Sequence, residues 1–220
     1  GARWTRMLYS TLELPVGDLE QAHVFTPDDV GAGAYIDGPI VVFDFDNYYM
    51  GSALAEHLTQ AADSVTYVTA AGHPSAWAIM TNEQPQVHRA LASCGVEVIT
   101  LSRVVKFQLG ELVIANMFTG AERRLQCRSL VIVGARKSRD ELYQALMARR
   151  QELAPAGIAS VDRIGDALAP GAIAHAVHSG HRYARELDGP PGAELYRRDS
   201  PIVEDLPLLY DDGGGKRETV

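Results

Sequence analysis

Three residues, Asp46, Tyr48 and Gly51, have the spacing of a dinucleotide-binding loop, yet only Gly51 has the chemistry that such a loop needs. The pattern G-x-G-x-x-G uses glycines so that backbone N–H groups at the start of a helix can approach a pyrophosphate. Here a carboxylate and a phenol ring stand at the first two glycine positions. We therefore interpret residues 40–58 as a strand, tight turn and helix with a degenerate loop. We predict that Asp46, Tyr48 and Tyr49 fill the space that the dinucleotide would occupy.

The next strand also lacks the residues of an NAD(P) site. In dinucleotide-binding domains, an acid near the end of the second strand binds the ribose hydroxyls, or an arginine accommodates the phosphate of NADP. The predicted second strand, Val65–Thr69, is followed by Ala70 and Ala71. Asp44 and Asp46 would each repel a diphosphate by about 1 kcal/mol at about 4 Å in water. We predict that the chain does not use NAD(P)H.

The segment Gly165-Asp166-Ala167 is a second candidate binding site. It follows a predicted strand and precedes a predicted helix, which is the position of a flavin-contacting motif in flavoprotein reductases. In that motif the carboxylate accepts a hydrogen bond from a sugar or ribityl hydroxyl, and the N-terminus of the following helix points at phosphate. The alternative interpretation is a plain turn with a helix cap.

Composition excludes several classes of function. The formal net charge of -8 argues against a nucleic-acid partner or an anionic membrane. No apolar run approaches the roughly 20 residues that span a bilayer. Cys94 and Cys127 lie in separate apolar stretches, so we expect two buried, reduced thiols in a cytoplasmic protein. We find no pattern of catalytic or metal-ligating residues, and two cysteines cannot hold an iron–sulfur cluster, which needs about four.

The order of predicted elements indicates an α/β fold. Strand and helix patterns alternate as β-α-β-α-β, then change to a three-stranded antiparallel meander over 103–127, and return to β-α. This order predicts a Rossmann-like three-layer domain with a β-meander insertion, as in the NAD domain of two-dinucleotide-domain flavoprotein reductases. We predict strands at 40–45, 65–69, 96–99, 129–133 and 160–164, and helices at 50–61, 82–94, 140–150 and 170–187.

The tripeptide Gly-Ala-Arg occurs twice, at 1–3 and at 134–136. In a two-domain reductase each nucleotide domain ends a strand with such a segment, so the repeat suggests an inner domain enclosed by part of an outer one. We predict that 1–38 is a remnant of the outer FAD/ADP-type domain and that 39–150 is the degenerate NAD(P)-type domain. Residues 151–205 would return to the outer domain, and 206–220 would form a flexible tail.

Together these motifs resemble the trimethylamine dehydrogenase family of iron–sulfur flavoproteins, within the old yellow enzyme-type superfamily. The resemblance covers nearly the whole chain. It is carried by GARW at 1–4, FTPDDV at 25–30, VVFDFDNYYMGSALAEHL at 41–58, SLVIVGAR at 129–136 and IGDALAPGAIAHAV with GHRYARELD at 164–188.

This resemblance implies a parent amine dehydrogenase about three times as long. Its (β/α)8 barrel would hold FMN and a [4Fe-4S] cluster, its outer domain would bind ADP, and it would pass electrons to an electron-transfer flavoprotein. A homodimer is compatible with the resemblance. The chain would contribute a vestigial ADP/FAD-type site at Gly165, Asp166 and Ala167 and no catalytic residues. Two other interpretations stay open: a free-standing Rossmann-like binding or interaction module without catalysis, and an NAD(P)H oxidoreductase, which the loop disfavours.

Overall fold

The computed structural model describes residues 1–6, 22–187 and 189. The strands are β1 (Ala2–Trp4), β2 (Val24–Phe25), β3 (Ile40–Asp44), β4 (Val65–Thr69), β5 (Glu97–Ile99), β6 (Ser102–Gln108), β7 (Gly110–Asn116), β8 (Glu122–Cys127), β9 (Ser129–Val133) and β10 (Arg136–Ser138). The helices are α1 (Pro27–Gly31), α2 (Tyr49–Leu58), α3 (Gln84–Ser93), α4 (Glu141–Ala148), α5 (Arg150–Leu153) and α6 (Ile173–Glu186). Short 3₁₀ helices cover Ala76–Thr81 and Gly165–Ala167.

A five-stranded parallel sheet forms the centre of the fold, in the order β2-β9-β3-β4-β5. Every residue of β3, β4 and β9 is buried. Such uniform burial explains why β3 and β9 each contain four consecutive apolar residues rather than an alternating pattern, since parallel sheets are covered on both faces. The sheet confirms the predicted α/β, Rossmann-like class.

The two faces of the sheet have different covers. Helices α2 and α3 pack on one face, where Ala55, Leu58 and Leu91 join Val42 and Tyr67 in one apolar cluster. The antiparallel meander β6-β7-β8 supplies the apolar cluster on the other face. The meander predicted over 103–127 is therefore confirmed, and it forms the third layer of the domain.

The two Gly-Ala-Arg segments lie side by side. Strands β1 and β10 pair antiparallel, with Ala2 opposite Ser138 and Trp4 opposite Arg136. Thr5 continues the contact, because its N–H donates to the carbonyl of Ala135 at 2.9 Å. The repeat thus marks two chain segments that run past each other at one edge of the domain.

The N-terminal region contains a strand and a short helix. Strand β2 pairs with β9, and α1 begins at Pro27 after the N-cap residue Thr26. Thr26 and Asp29 form a reciprocal capping box, in which each side chain accepts from the other residue's backbone N–H. Proline at the first helical position adds to this start.

Two sequence-based expectations are wrong. Residues 160–164 do not form a strand, and within the described ranges no neighbouring strand pairs with them, although a strand needs such a partner. Cys94 is exposed, because α3 ends at Ser93 and Cys94 follows its last turn. Cys127 is buried as expected, and desolvation raises the pKa of its thiol to about 12.

None of the helices in the described ranges is long and apolar enough to cross a membrane. The predicted tail, 206–220, lies outside the described residues, as do 7–21 and the end of the 151–205 segment.

Candidate functional site

The loop after β3 is organised around the buried carboxyl group of Asp44. This side chain has no exposed surface. One carboxyl oxygen accepts the backbone N–H of Asn47 at 3.0 Å, and the other accepts the hydroxyl of Tyr67. Desolvation by burial raises the pKa of Asp44 to about 7, although both hydrogen bonds act in the opposite direction.

Tyr67 extends this contact into a hydrogen-bonded network. Its oxygen accepts the backbone N–H of Ser75 at 3.1 Å, so the tyrosine proton is directed at Asp44. The hydroxyl of Ser75 donates to Ser52 at 2.8 Å, and Ser52 donates to the carbonyl of Tyr49 at 3.0 Å. The network therefore joins β3, β4, α2 and the loop after β4. It holds the loop after β3 in place through the hydrogen bond between Asp44 and the backbone of Asn47.

Gly51 is the one glycine of the dinucleotide pattern that remains, and its environment shows what it does. A Cβ atom built on Gly51 would lie 2.5 Å from Cγ of Asp44 and 2.7 Å from its Cβ. The third glycine of a dinucleotide loop permits this kind of close packing between helix and strand. Gly51 has kept that packing role while the group it packs against is a carboxylic acid.

Asp46 belongs to a second contact group, centred on Arg136. The guanidinium of Arg136 donates to Asp46 at 3.3 Å and to the carbonyl of Gly171 at 2.8 Å. It also lies over the ring of Trp4, 5.1 Å from the centroid. Burial is the main cause that raises the pKa of Asp46, while Arg136 opposes it. Arg136 thus connects the degenerate loop to β1 and to the segment that enters α6.

The two tyrosines of the loop have different positions. The ring of Tyr48 stacks on Trp77, with centroids 6.1 Å apart and planes 18° from parallel. Tyr49, in contrast, is 58% exposed. Beneath the loop, the buried side chains of Asp44 and Tyr67 occupy the interior.

Gly165, Asp166 and Ala167 form a 3₁₀ turn before α6. Gly165 has a φ of +55°, and its N–H donates to the hydroxyl of Ser179 at 2.9 Å. One carboxyl oxygen of Asp166 accepts the N–H of Gly171 at 3.2 Å. The turn is therefore tied to α6 through Ser179 and to the segment before α6 through Gly171.

A cleft of about 710 Å³ brings the two predicted sites together. Asp46 and Tyr48 line it from the loop, and Asp166 lines it from the 3₁₀ turn. Gly51 instead lies beneath the loop against Asp44. The sequence-based reasoning missed Trp77 and the polar network. The sequence does contain an indication of this network. Asp44 is an acid within an otherwise apolar strand, and Tyr67 lies in the middle of the next strand.

The described residues do not fit an iron–sulfur cluster. Within the ranges described, no three His, Cys, Asp or Glu side chains lie together in a way that could hold a metal ion. The chain has two cysteines, one exposed and one buried, against the roughly four that a cluster requires. The described residues therefore do not supply the ligands of such a cluster.

The parallel sheet with its covering helices and meander defines a Rossmann-like α/β domain. Residues 25–139 match the model of the "OYE-like second alpha/beta domain" family. The chain belongs to this family.

Two amine-oxidising relatives extend the comparison. The chain is 30% identical over 223 residues to a dimethylamine dehydrogenase of Hyphomicrobium sp. (strain x). It superposes on histamine dehydrogenase from Rhizobium sp. 4-9 with a TM-score of 0.83 and 35% identity, over 93% of this chain. These similarities confirm the resemblance to the trimethylamine dehydrogenase family.

A third relative agrees, and the coverage shows how much of each protein is matched. The 6-hydroxypseudooxynicotine amine oxidase of Pseudomonas geniculata N1 gives a TM-score of 0.76 at 32% identity, over 82% of this chain and 27% of that one. The dimethylamine dehydrogenase match covers 90% of this chain but 30% of that enzyme, and the histamine dehydrogenase match covers 32% of that enzyme. The chain thus spans about a third of the length of its relatives.

Proposed function

We propose that this chain is the C-terminal nucleotide-domain part, as a fragment or subunit, of an FMN and iron–sulfur amine dehydrogenase. The parent would oxidise an amine in a (β/α)8 barrel and pass electrons to an electron-transfer flavoprotein in the cytoplasm. The similarity to three amine-oxidising enzymes supports this assignment, and so does the fraction of each that the chain spans. The amine chemistry would take place on residues that this chain does not contribute.

The role proposed for this chain is structural, without use of NAD(P)H. The observation that supports this role most strongly is the hydrogen bond between Tyr67 and Asp44 beneath the loop that follows β3. A dinucleotide would have to bring its pyrophosphate to a loop that has carboxyl groups at Asp44 and Asp46 and aromatic rings at Tyr48 and Tyr49. The strand, helix and third glycine would persist because they hold the domain together.

We propose the domain division 1–38, 39–150 and 151–205. Pairing of β1 with β10 supports a double crossing between an outer and an inner domain. Strand β2 lies within 1–38 and joins the inner sheet, so the inner domain receives one edge strand from the crossing segment.

We further propose that Gly165, Asp166 and Ala167 mark a vestigial ADP-type site. Asp166 uses one carboxyl oxygen for the N–H of Gly171, which leaves its other oxygen for a ribose hydroxyl. The positive φ of Gly165 suits the tight turn that the motif needs. Bound ADP would supply charge and shape rather than redox chemistry.

The test is calorimetric titration of the complete protein with ADP and, separately, intact-mass measurement of the purified polypeptide. The proposal expects ADP binding that Asp166→Asn weakens, and a parent polypeptide or a co-purifying barrel subunit. The matched control is Asp162→Asn, which changes an exposed acid outside the 3₁₀ turn. A protein of 220 residues that functions without a barrel partner would favour the free-standing binding module instead.

A further inference from the structure

A continuous series of polar contacts connects the degenerate loop to the 3₁₀ turn before α6. The guanidinium of Arg136 donates to Asp46 at 3.3 Å through one nitrogen and to the carbonyl of Gly171 at 2.8 Å through another. The N–H of Gly171 in turn donates to a carboxyl oxygen of Asp166 at 3.2 Å. The carboxyl group of Asp46 is therefore connected to that of Asp166 through one arginine and one glycine.

The end of this series at Asp46 and Arg136 is fixed to the inner domain. The backbone N–H of Asp46 donates at 3.1 Å to the carbonyl of Val133, the last residue of β9. Arg136 begins β10, where it lies opposite Trp4 of β1 and covers the ring of that residue. The side chains of Arg136 and Asp46 are 21% and 12% exposed, so water weakens their attraction less than that of a surface pair.

The other end of the series depends on a glycine, which has no side chain to hold it in place. A Cβ atom at Gly171 would lie 2.9 Å from Nδ1 and 3.1 Å from Cβ of His175, so His175 occupies the space that a side chain would need. Glycine has more backbone freedom than any other residue. The hydrogen bonds of Gly171 to Arg136 and Asp166 therefore restrict a backbone that would otherwise be free to move.

We propose that Asp46 and Arg136 are positioning residues for the ADP-type site, and that they orient the carboxyl group of Asp166 through Gly171. This proposal rests on the ADP site proposed above at the 3₁₀ turn. Because Gly171 holds one carboxyl oxygen of Asp166, the location of Gly171 sets the direction of the other oxygen, which would accept the ribose hydroxyl. The acid at the first glycine position of the dinucleotide pattern thus acts on the neighbouring nucleotide site.

The variant Asp46→Asn separates positioning from simple electrostatics, because the two predict changes of opposite sign. If charge alone mattered, removing a negative charge near an anionic ligand would strengthen binding. A neutral amide, however, makes a weaker hydrogen bond to Arg136 than a carboxylate does, and this loosens the hold on Gly171. Calorimetric titration of the complete protein with ADP should therefore show binding to Asp46→Asn that is weaker by about fivefold.

Glu83→Gln is the matched control for this variant. Glu83 is an exposed acid of the same cleft, and its carboxylate accepts a hydrogen bond from Thr81. The substitution removes the same charge as Asp46→Asn but leaves the contacts of Arg136 intact. It should leave the affinity for ADP unchanged or raise it slightly.

Two further measurements test whether Asp46 acts through Arg136. Arg136→Lys keeps the positive charge but lacks the planar fork that binds Asp46 and Gly171 together, so it should also weaken ADP binding. In the ligand-free protein, amide exchange at 170–175 should be faster in Asp46→Asn than in Glu83→Gln. If Arg136→Lys folds poorly, Asp46→Asn keeps the test decisive, because an amide has nearly the size of a carboxyl group.

The outcomes distinguish this proposal from the ADP site on which it rests. Absence of ADP binding by the unmodified protein, or an affinity that Asp166→Asn leaves unchanged, would overturn both. ADP binding that Asp166→Asn weakens, but that Asp46→Asn leaves unchanged or strengthens, would overturn the positioning role alone. Equal weakening by Asp46→Asn and Glu83→Gln would also overturn it, since the effect would then not depend on contact with Arg136.

Discussion

Gly51 lies against the carboxyl group of Asp44 so closely that a side chain on Gly51 would overlap it. A Cβ atom at position 51 would be 2.5 Å from Cγ of Asp44. This contact explains why the last glycine of a dinucleotide loop persists in a loop that has exchanged the other two. It also places the carboxyl group at the centre of the site, because Tyr67 and the loop backbone both bind it.

Gly51→Ala should destabilise the protein by about 1–3 kcal/mol, since the added methyl group must displace a buried, hydrogen-bonded side chain. The measurement is the midpoint of urea unfolding. Gly180→Ala is the matched control, because Gly180 is also helical and a methyl group added there would meet nothing within 4 Å. That substitution should be neutral or stabilising. Equal destabilisation by both variants would contradict the packing role of Gly51.

Because of Asp44, the free energy of unfolding should fall as the pH rises from 3.8 to about 7. The folded protein retains the Asp44 proton up to about pH 7, whereas the unfolded chain loses it near 3.8. Folding therefore takes up a proton between these two pH values. The contribution of Asp44 to the free energy of unfolding is complete below this pH window and is lost as the pH rises through it. The measurement is the free energy of unfolding against pH for the unmodified protein and for Asp44→Asn.

Asp44→Asn should lose this slope and should cost little at low pH, because its amide oxygen can accept the N–H of Asn47 and its NH2 group can face Tyr67 as the protonated acid does. Asp63→Asn, which changes a solvent-accessible acid, should keep the slope of the unmodified protein. An identical pH profile for Asp44→Asn and the unmodified protein would rule out a titrating Asp44.

Arg136→Ala should loosen the segment that enters α6. The substitution removes the bond to the carbonyl of Gly171 and leaves Asp46 half-buried without its cation. Faster amide exchange and faster proteolysis around 165–175 are expected. Arg124→Ala, which breaks an exposed pair with Glu111, should change neither rate. If the two variants behave alike, Arg136 does not hold this segment.

The two cysteines should differ in reactivity. Cys94 is exposed and should react readily with iodoacetamide, whereas Cys127 is buried with a pKa raised to about 12 and should react only on unfolding. Peptide mapping of the native and denatured protein measures both. Rapid native labelling of Cys127 would contradict its position between the meander and the sheet.

Sequence reasoning located the parts of the fold that depend on local pattern. Short runs of apolar, β-branched and aromatic residues predicted the buried strands, and alternation with turn residues predicted the meander. The strand predicted at 160–164 failed because pairing depends on a neighbour rather than on the segment itself. The 3₁₀ helix at 76–81 was missed because it is held by a network formed across β3, β4 and α2.

The candidate site was predicted only in part, because some of its contacts also join segments that are far apart in the sequence. Asp46 and Tyr48 were recognised because a spacing rule exists for their positions. Trp77 joins them from a different segment, and Arg136 reaches Asp46 across 90 positions of sequence. No rule of spacing connects such positions before the sheet brings them together.

Restoring the lost glycines should not restore a dinucleotide site. In Asp46→Gly with Tyr48→Gly, the carboxyl group of Asp44 would remain beneath the loop, and no acid would follow β4 to bind the ribose. Calorimetry should show no NADH binding beyond that of the unmodified protein. A gain in NADH affinity would show that the two side chains alone exclude the dinucleotide.

The central claim, that this domain does not accept a dinucleotide, is tested most directly by titrating the complete, unmodified protein with NADH. The protein is first saturated with ADP, so that the adenine nucleotide cannot bind at the proposed outer site. We predict no heat of binding and no reduction of any flavin present, because the loop after β3 cannot accept a pyrophosphate. Saturable micromolar binding of NADH under these conditions would contradict the claim.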